Sequence, residues 1–107
     1  MVTIHSLDGK FLDASDEFLS FIGYSLEYLK EIDNYSLFHP NDRGRIWVNS
    51  HSKVMTKSCS TYYRILTKKG KYIWVKAYIH YNKHYNVIIK YTKKVTKIEL
   101  LFKYITS

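Results

Sequence analysis

The chain has 107 residues, 46% hydrophobic and 24% charged, with one Pro, four Gly and a net charge of +8. This suits a single domain that buries a core unaided, and the lone Cys59 excludes an internal disulfide or a cysteine-built zinc site. No apolar run approaches the roughly 20 residues of a membrane span, and Ser6, Asp8 and Lys10 interrupt the N-terminus as a signal peptide, so the expectation is an intracellular protein, nuclear or cytoplasmic.

The charge is polarised. Residues 1–42 carry eight of the nine acids, whereas 43–107 carry fifteen of the seventeen bases. Such asymmetry fits two faces of opposite sign that steer a protein partner, a nucleic-acid partner, or simply a solvated lysine-rich sheet.

In chain order, "TIHSLDGKFLDAS" predicts a hairpin, with Ile4 before an Asp8-Gly9 turn and Phe11-Leu12 after it. "SDEFLSFIGYS" predicts a short helix capped by Ser15 or Asp16, apolar at Phe18, Leu19, Phe21 and Ile22 and ending at Gly23. Ser25 opens a second helix, with a stripe of Leu26, Leu29 and Ile32. "NYSLFHPND" is a turn, and Asn41 or Asp42 caps a longer helix over 42–57 carrying Ile46, Trp47, Val48, Val54 and Met55. From residue 59 the pattern becomes β: strands over 60–67 and 71–81 joined at Lys69-Gly70, then a third after a short Asn82-Lys83 connection. Ile98, Leu101, Phe102 and Ile105 form a final helical stripe, so the domain is bounded at 1–97, with an amphipathic helix or linker over 98–107. Strands and helices in blocks argue an α+β fold with the helices on one sheet face.

The run "YYRILTKKGKYIWVKAYIHY" has two kinds of face. Ile73, Val75, Ala77 and Ile79 alternate with Tyr72, Trp74, Lys76, Tyr78 and His80. Shifting the register by one residue would bury Lys76, which fixes the aliphatic set as inner. On the outer face, Tyr62, Arg64, Tyr72, Trp74, Tyr78 and His80 should form one patch, of the residue types that dominate interface hot spots. Either the terminal stripe or another protein is expected to cover it. Inside, Tyr63, Ile65, Thr67, Ile73, Val75, Ala77, Ile79, Val87, Ile89 and Tyr91, with Phe18, Ile22, Ile46 and Met55, would line any cavity. Close packing of such bulky residues favours a filled interior.

The order of motifs resembles the PAS domain. "DGKFLDASDEFLSFIGYS" is similar to the family's first hairpin and helix, including "GYS" at Gly23–Ser25. "EYLKEIDNYSLFHPND" resembles its "E-L-x-G…HP-x-D" segment through His39, Pro40 and Asp42, with Glu31 where the family commonly has Gly. Tyr63, Arg64, Gly70 and Trp74 match its "R-x-x-x-K-D-G-x-x-x-W" hairpin. Within the family, residues 57–81 look most like the second PAS repeat of animal basic helix-loop-helix PAS transcription factors and the PAS domains of fungal white-collar regulators. The resemblance implies a five-stranded antiparallel sheet with short helices on one face. It also implies a role in pairing with proteins, another PAS domain included, or in sensing a ligand, and rarely catalysis.

Catalytic chemistry finds little support. No nucleophile–base–orienter set stands at an informative spacing. Asp13, Asp16 and Glu17 read as a loop and the acidic first turn of a helix. The family's flavin adduct needs a helix-borne cysteine, and no cysteine lies in the helical region; a haem would need an axial histidine, for which His51 is the sole candidate. A lone helical histidine is more often an ordinary surface residue, and His39 reads as a turn cap. The expectation is therefore a non-enzymatic regulatory module without cofactor or metal that binds a protein partner, with a haem or small-molecule sensor as the alternative. Aromatics among lysines also suit single-stranded nucleic acid, but no RNA-binding motif accompanies them.

Overall fold

A computed structural model describes residues 1–49, 58–96 and 101. In chain order they form β1 (Val2–His5), β2 (Phe11–Ala14), α1 (Asp16–Ile22), α2 (Leu26–Glu31), 3-10 turns at Asn34–Leu37 and Pro40–Asp42, α3 (Arg43–Trp47), β3 (Cys59–Leu66), β4 (Tyr72–Asn82) and β5 (Val87–Lys94). The five strands make one sheet in the order β2-β1-β5-β4-β3, with every neighbouring pair antiparallel. This is the α+β architecture expected from the sequence.

Local chemistry explains the element ends. Ser15 Oγ accepts from the Phe18 amide at 3.3 Å and from the Val2 amide at 3.0 Å, so it caps α1 while tying it to β1. Gly23 ends α1 in the left-handed region, φ 85°, donating to the Leu19 carbonyl at 2.9 Å. A Cβ there would meet Lys68 Cβ at 3.0 Å, because the β3–β4 turn packs against the helix end. Ser25 caps α2 by accepting from the Tyr28 amide at 3.2 Å. α2 closes on Ile32 in an extended conformation.

Helices and turns cover one face of the sheet. Phe18, Ile22, Leu29, Leu37, Phe38 and Ile46 pack there with Phe11, Tyr63, Ile65, Val75, Ala77, Ile79 and Ile88 of the strands. The longer helix predicted over 42–57 is described only as α3: Ile46 is buried, Trp47 and Val48 are exposed, and Val54 and Met55 lie outside the described residues. His51 and the stripe of Ile98, Phe102 and Ile105 are likewise outside them.

One strand differs from expectation. Hydrophobic alternation placed Val87, Ile89 and Tyr91 on the inner face, but the register is the opposite. Tyr81 pairs with Ile88, Ile79 with Lys90 and Ala77 with Thr92, and all three β5 residues are buried. Ile89 and Tyr91 stand opposite His80 and Tyr78 on the outer face. Ile89 therefore does not line the core. The cause is the hairpin: four residues, Lys83 to Asn86, separate the paired Asn82 and Val87. An even-length connection sets odd residues of β4 against even residues of β5, and this overrides the local pattern.

Candidate functional site

The outer face is organised by the β3–β4–β5 register. Tyr62 pairs with Lys76, Arg64 with Trp74, Tyr78 with Tyr91 and Lys76 with Lys93. Residues opposite one another share a face, so Tyr62, Arg64, Tyr72, Trp74, Tyr78 and His80 come together as one patch. Ile89 and Tyr91 extend it across β5, and Val2 and Ile4 continue it on β1, paired with Tyr91 and Ile89. These four additions follow from the β5 parity and the β1–β5 pairing, neither of which local alternation reveals.

Two cations are held over rings in the patch. The Arg64 guanidinium carbon lies 4.8 Å from the Trp74 ring centroid, and Lys76 Nζ lies 5.2 Å from Tyr62 and 5.0 Å from Tyr78. A hydrogen bond with Tyr78, joined by one with Tyr62, holds the Lys76 pKa above its ordinary value against the opposing effect of burial. The rings are far from covered: Tyr72 is 44% exposed, Tyr78 46% and Tyr91 51%. At one end, Ser58, Cys59, Ser60, Tyr78, Ile79, His80 and Tyr91 line an open groove of about 470 Å³, where Ser58 Oγ lies 3.1 Å from His80 Nδ1.

Beneath the patch edge, Asp42 anchors Arg64. Its carboxylate accepts from the Arg64 amide at 2.8 Å, from Nε at 3.0 Å and from Nη2 at 2.8 Å, while Arg45 Nη2 lies 3.5 Å away. Asp42 is 2% exposed; burial alone would raise its pKa, but the Arg64 bonds and the two arginine charges hold it below the usual carboxylate value. Asp42 therefore does not cap α3 with its side chain. His39 does act as a cap, its Nδ1 accepting from the Asn41 amide at 3.1 Å.

The inner face is more polar than the sequence suggested. Thr3, His5, Thr61, Lys90 and Thr92 are buried on it beside the expected Tyr63, Ile65, Thr67, Val75, Ala77 and Ile79, with Ile73 half-buried. Lys90 is 4% exposed, its Nζ is 5.3 Å from the Phe38 ring centroid, and burial drives its pKa down to about 8. Among the described residues no carboxylate forms an ion pair with it. Burial also pushes Tyr63 up to about 12, against a hydrogen bond with Thr92 that opposes the shift. Among the described residues, no group of three or more His, Cys, Asp or Glu gathers where a metal could sit, and no helix is long and apolar enough to cross a membrane.

The family model for the PAS fold matches residues 11–95. The chain belongs to the PAS family. The PAS-B domain of Drosophila melanogaster Cycle, solved with ethylene glycol bound, superposes with a TM-score of 0.76 at 22% identity, over 88% of this chain and 98% of that one. The light-state LOV domain of the blue-light photoreceptor Aureochrome1 gives 0.77 at 18% identity, over 99% and 91%. A PAS domain from Desulfitobacterium hafniense gives 0.74 at 21% identity, over 89% and 92%. At these identities the likeness is one of fold. In this PAS domain the sheet's outer face is the one on which aromatic rings remain open to solvent.

Proposed function

We propose that this PAS domain is a non-catalytic regulatory module that docks a protein partner on the outer face of its sheet, within an intracellular signalling or transcription regulator. The observation that carries this reading is the cross-strand set of exposed rings, Tyr72, Tyr78 and Tyr91, around Lys76 and Trp74. Large aromatic surface in a folded domain marks interaction sites, and Tyr, Trp and Arg supply hot spots once desolvated. The test is the affinity of a captured partner for the wild-type protein and for Trp74→Ala and Tyr78→Ala. Each variant should keep its circular dichroism spectrum and lose about 2 kcal/mol of binding, or roughly 30-fold in Kd. Folded variants that both bind as wild type refute the reading.

A second reading, a small-molecule sensor, is favoured by one observation: the buried Lys90 amine amid Thr3, His5 and Thr92 on the inner face. An uncompensated buried cation is costly, and an anionic or hydroxylic ligand would offset that cost. Native mass spectrometry and the absorption spectrum of the purified protein decide it. Retained mass, or a Soret or flavin band, supports the sensor, and a bare protein mass with no visible band opposes it.

A further inference from the structure

A pocket of about 210 Å³ lies where the β3–β4 turn meets the end of α1, at the opposite end of β4 from His80. Its floor is apolar, with Ile22 buried and Phe21 and Ile73 half-buried, and the exposed Lys68, Lys69, Lys71 and Lys94 stand around it. Backbone bonds fix this frame. The Thr67 amide donates to the Lys71 carbonyl at 3.0 Å and the Gly70 amide to the Thr67 carbonyl at 2.9 Å, while the Lys68 amide docks the turn on the Ile22 carbonyl at 2.9 Å. Lys94 arrives from β5: it pairs with the inward-facing Val75, and its Nζ lies 5.9 Å from the Phe21 ring centroid. The sequence supplies no Asp or Glu between residues 43 and 98, and no carboxylate lines the pocket. Among the described residues, none of the four lysines takes part in an ion pair. Four like charges around one small concave volume, backed by apolar walls, focus a positive potential there.

We infer that this pocket binds a compact polyanion, a group of two or more phosphates that is either free or carried by a lipid headgroup. Charge and size select the class. Ordering flexible lysine side chains costs rotamer entropy, which a ligand offsets by meeting several ammoniums at once. Clustered phosphates concentrate three or more negative charges in a small volume, whereas an acidic peptide spreads its carboxylates over a length that about 210 Å³ does not enclose. Lysine recognises phosphate as a point charge and needs no fixed fork geometry, and the Ser20 hydroxyl at the pocket adds a donor. Nucleic acid is held instead by a track of cations along its backbone. The site shares no residue with the aromatic docking face and stands independently of it.

The experiment is calorimetric titration of the full chain with sodium tripolyphosphate at near-physiological salt. Binding should saturate at one ligand per chain. The Kd should rise at least tenfold in the Lys69→Ala/Lys94→Ala double variant and at least tenfold again in about 0.5 M salt, where the Debye length falls well below 10 Å. Lys83→Ala, in the β4–β5 turn, should leave it within twofold. In amide NMR spectra of the wild type, the ligand should move Ser20, Gly23, Lys68, Lys69 and Lys71 and leave Lys83 and His84 in place, a readout that holds even if the double variant fails to fold. Vesicles of phosphatidylcholine with an inositol bisphosphate lipid separate the sources. Capture of the wild type that tripolyphosphate reverses assigns the phosphates to a headgroup, and soluble binding without capture assigns them to a free ligand. No saturable binding, equal losses in Lys83→Ala and the double variant, or shifts spread over every lysine would overturn the inference. Affinity for oligo-dT that exceeds that for tripolyphosphate and grows with oligonucleotide length would overturn it in favour of nucleic acid.

Discussion

Replacing Lys90 with Met exchanges a buried ammonium for an apolar side chain of similar length, and it should stabilise the protein. Burial lowers the Lys90 pKa from 10.5 to about 8, and each unit corresponds to about 1.4 kcal/mol, so carrying the proton in the fold costs about 3 kcal/mol. The Phe38 ring, 5.3 Å from Nζ, returns about 1 kcal/mol of that. The net gain expected for Lys90→Met at pH 7 is thus about 2 kcal/mol, or about 10 °C in Tm for a domain of this size. Its pH dependence is distinctive. Below pH 8 the lysine is protonated in both folded and unfolded chains, so wild type bears the full penalty. Between pH 8 and 10.5 the unfolded chain binds more protons, so wild-type stability rises with pH and the advantage of Lys90→Met shrinks. Tyr63 and Tyr35, both pushed up to about 12 mainly by burial, act in the opposite sense above pH 10. They are common to both proteins and cancel in the difference. Urea denaturation of wild type and variant at pH 7 and pH 10 is the assay. A destabilised variant at both pH values, or a difference that does not change with pH, would show that the ammonium is compensated within the fold.

Other perturbations test separate parts of the structure. Asp42→Asn leaves Arg64 and Arg45 without their shared carboxylate and should cost about 3–5 kcal/mol in chemical denaturation. Because the folded Asp42 pKa is lowered, that contribution is complete above about pH 4 and disappears as the pH falls through the folded value, so the acid limb of wild-type stability should flatten in the variant. Gly23→Ala and Gly70→Ala share a φ of 85°, but only at Gly23 does a Cβ meet a neighbour, Lys68 Cβ at 3.0 Å. Gly70→Ala should therefore cost about 1 kcal/mol and Gly23→Ala measurably more, read from paired thermal melts. Ile79→Ala, buried on the inner face of β4, should cost about 2–5 kcal/mol, and a near-neutral result would reveal an existing void beside it.

The parts of this fold that the sequence discloses are those set by local chemistry. The capping and turn roles of Ser15, Gly23, Ser25 and Gly70 act through bonds and dihedral angles within a few residues of themselves, so these roles are readable without the rest of the chain, unlike the bond of Ser15 to Val2. The β4 faces were equally legible, because the strand is long and only one parity hides its aliphatic residues. On β5 the same argument fails. Ile88 and Ile89 are equivalent by composition, and the remaining alternation favours exposing Lys90. The parity was available instead from hairpin arithmetic, since any even-length connection sets the inner odd residues of β4 against even residues of β5. Applying that rule moves Ile89 and Tyr91 from the core to the outer patch and moves Lys90 from solvent to the core. The pairing of β1 with β5 joins strands more than 80 residues apart, and no local signal specifies it. That pairing places Val2 and Ile4 beside the aromatic patch and Thr3 and His5 on the polar inner face. The two candidate sites thus diverge in how they are encoded. Most of the aromatic face is written along the β3–β4 hairpin, with only its extension over β5 and β1 set by the sheet, whereas the buried amine and its polar neighbours exist only once β1, β4 and β5 have come together.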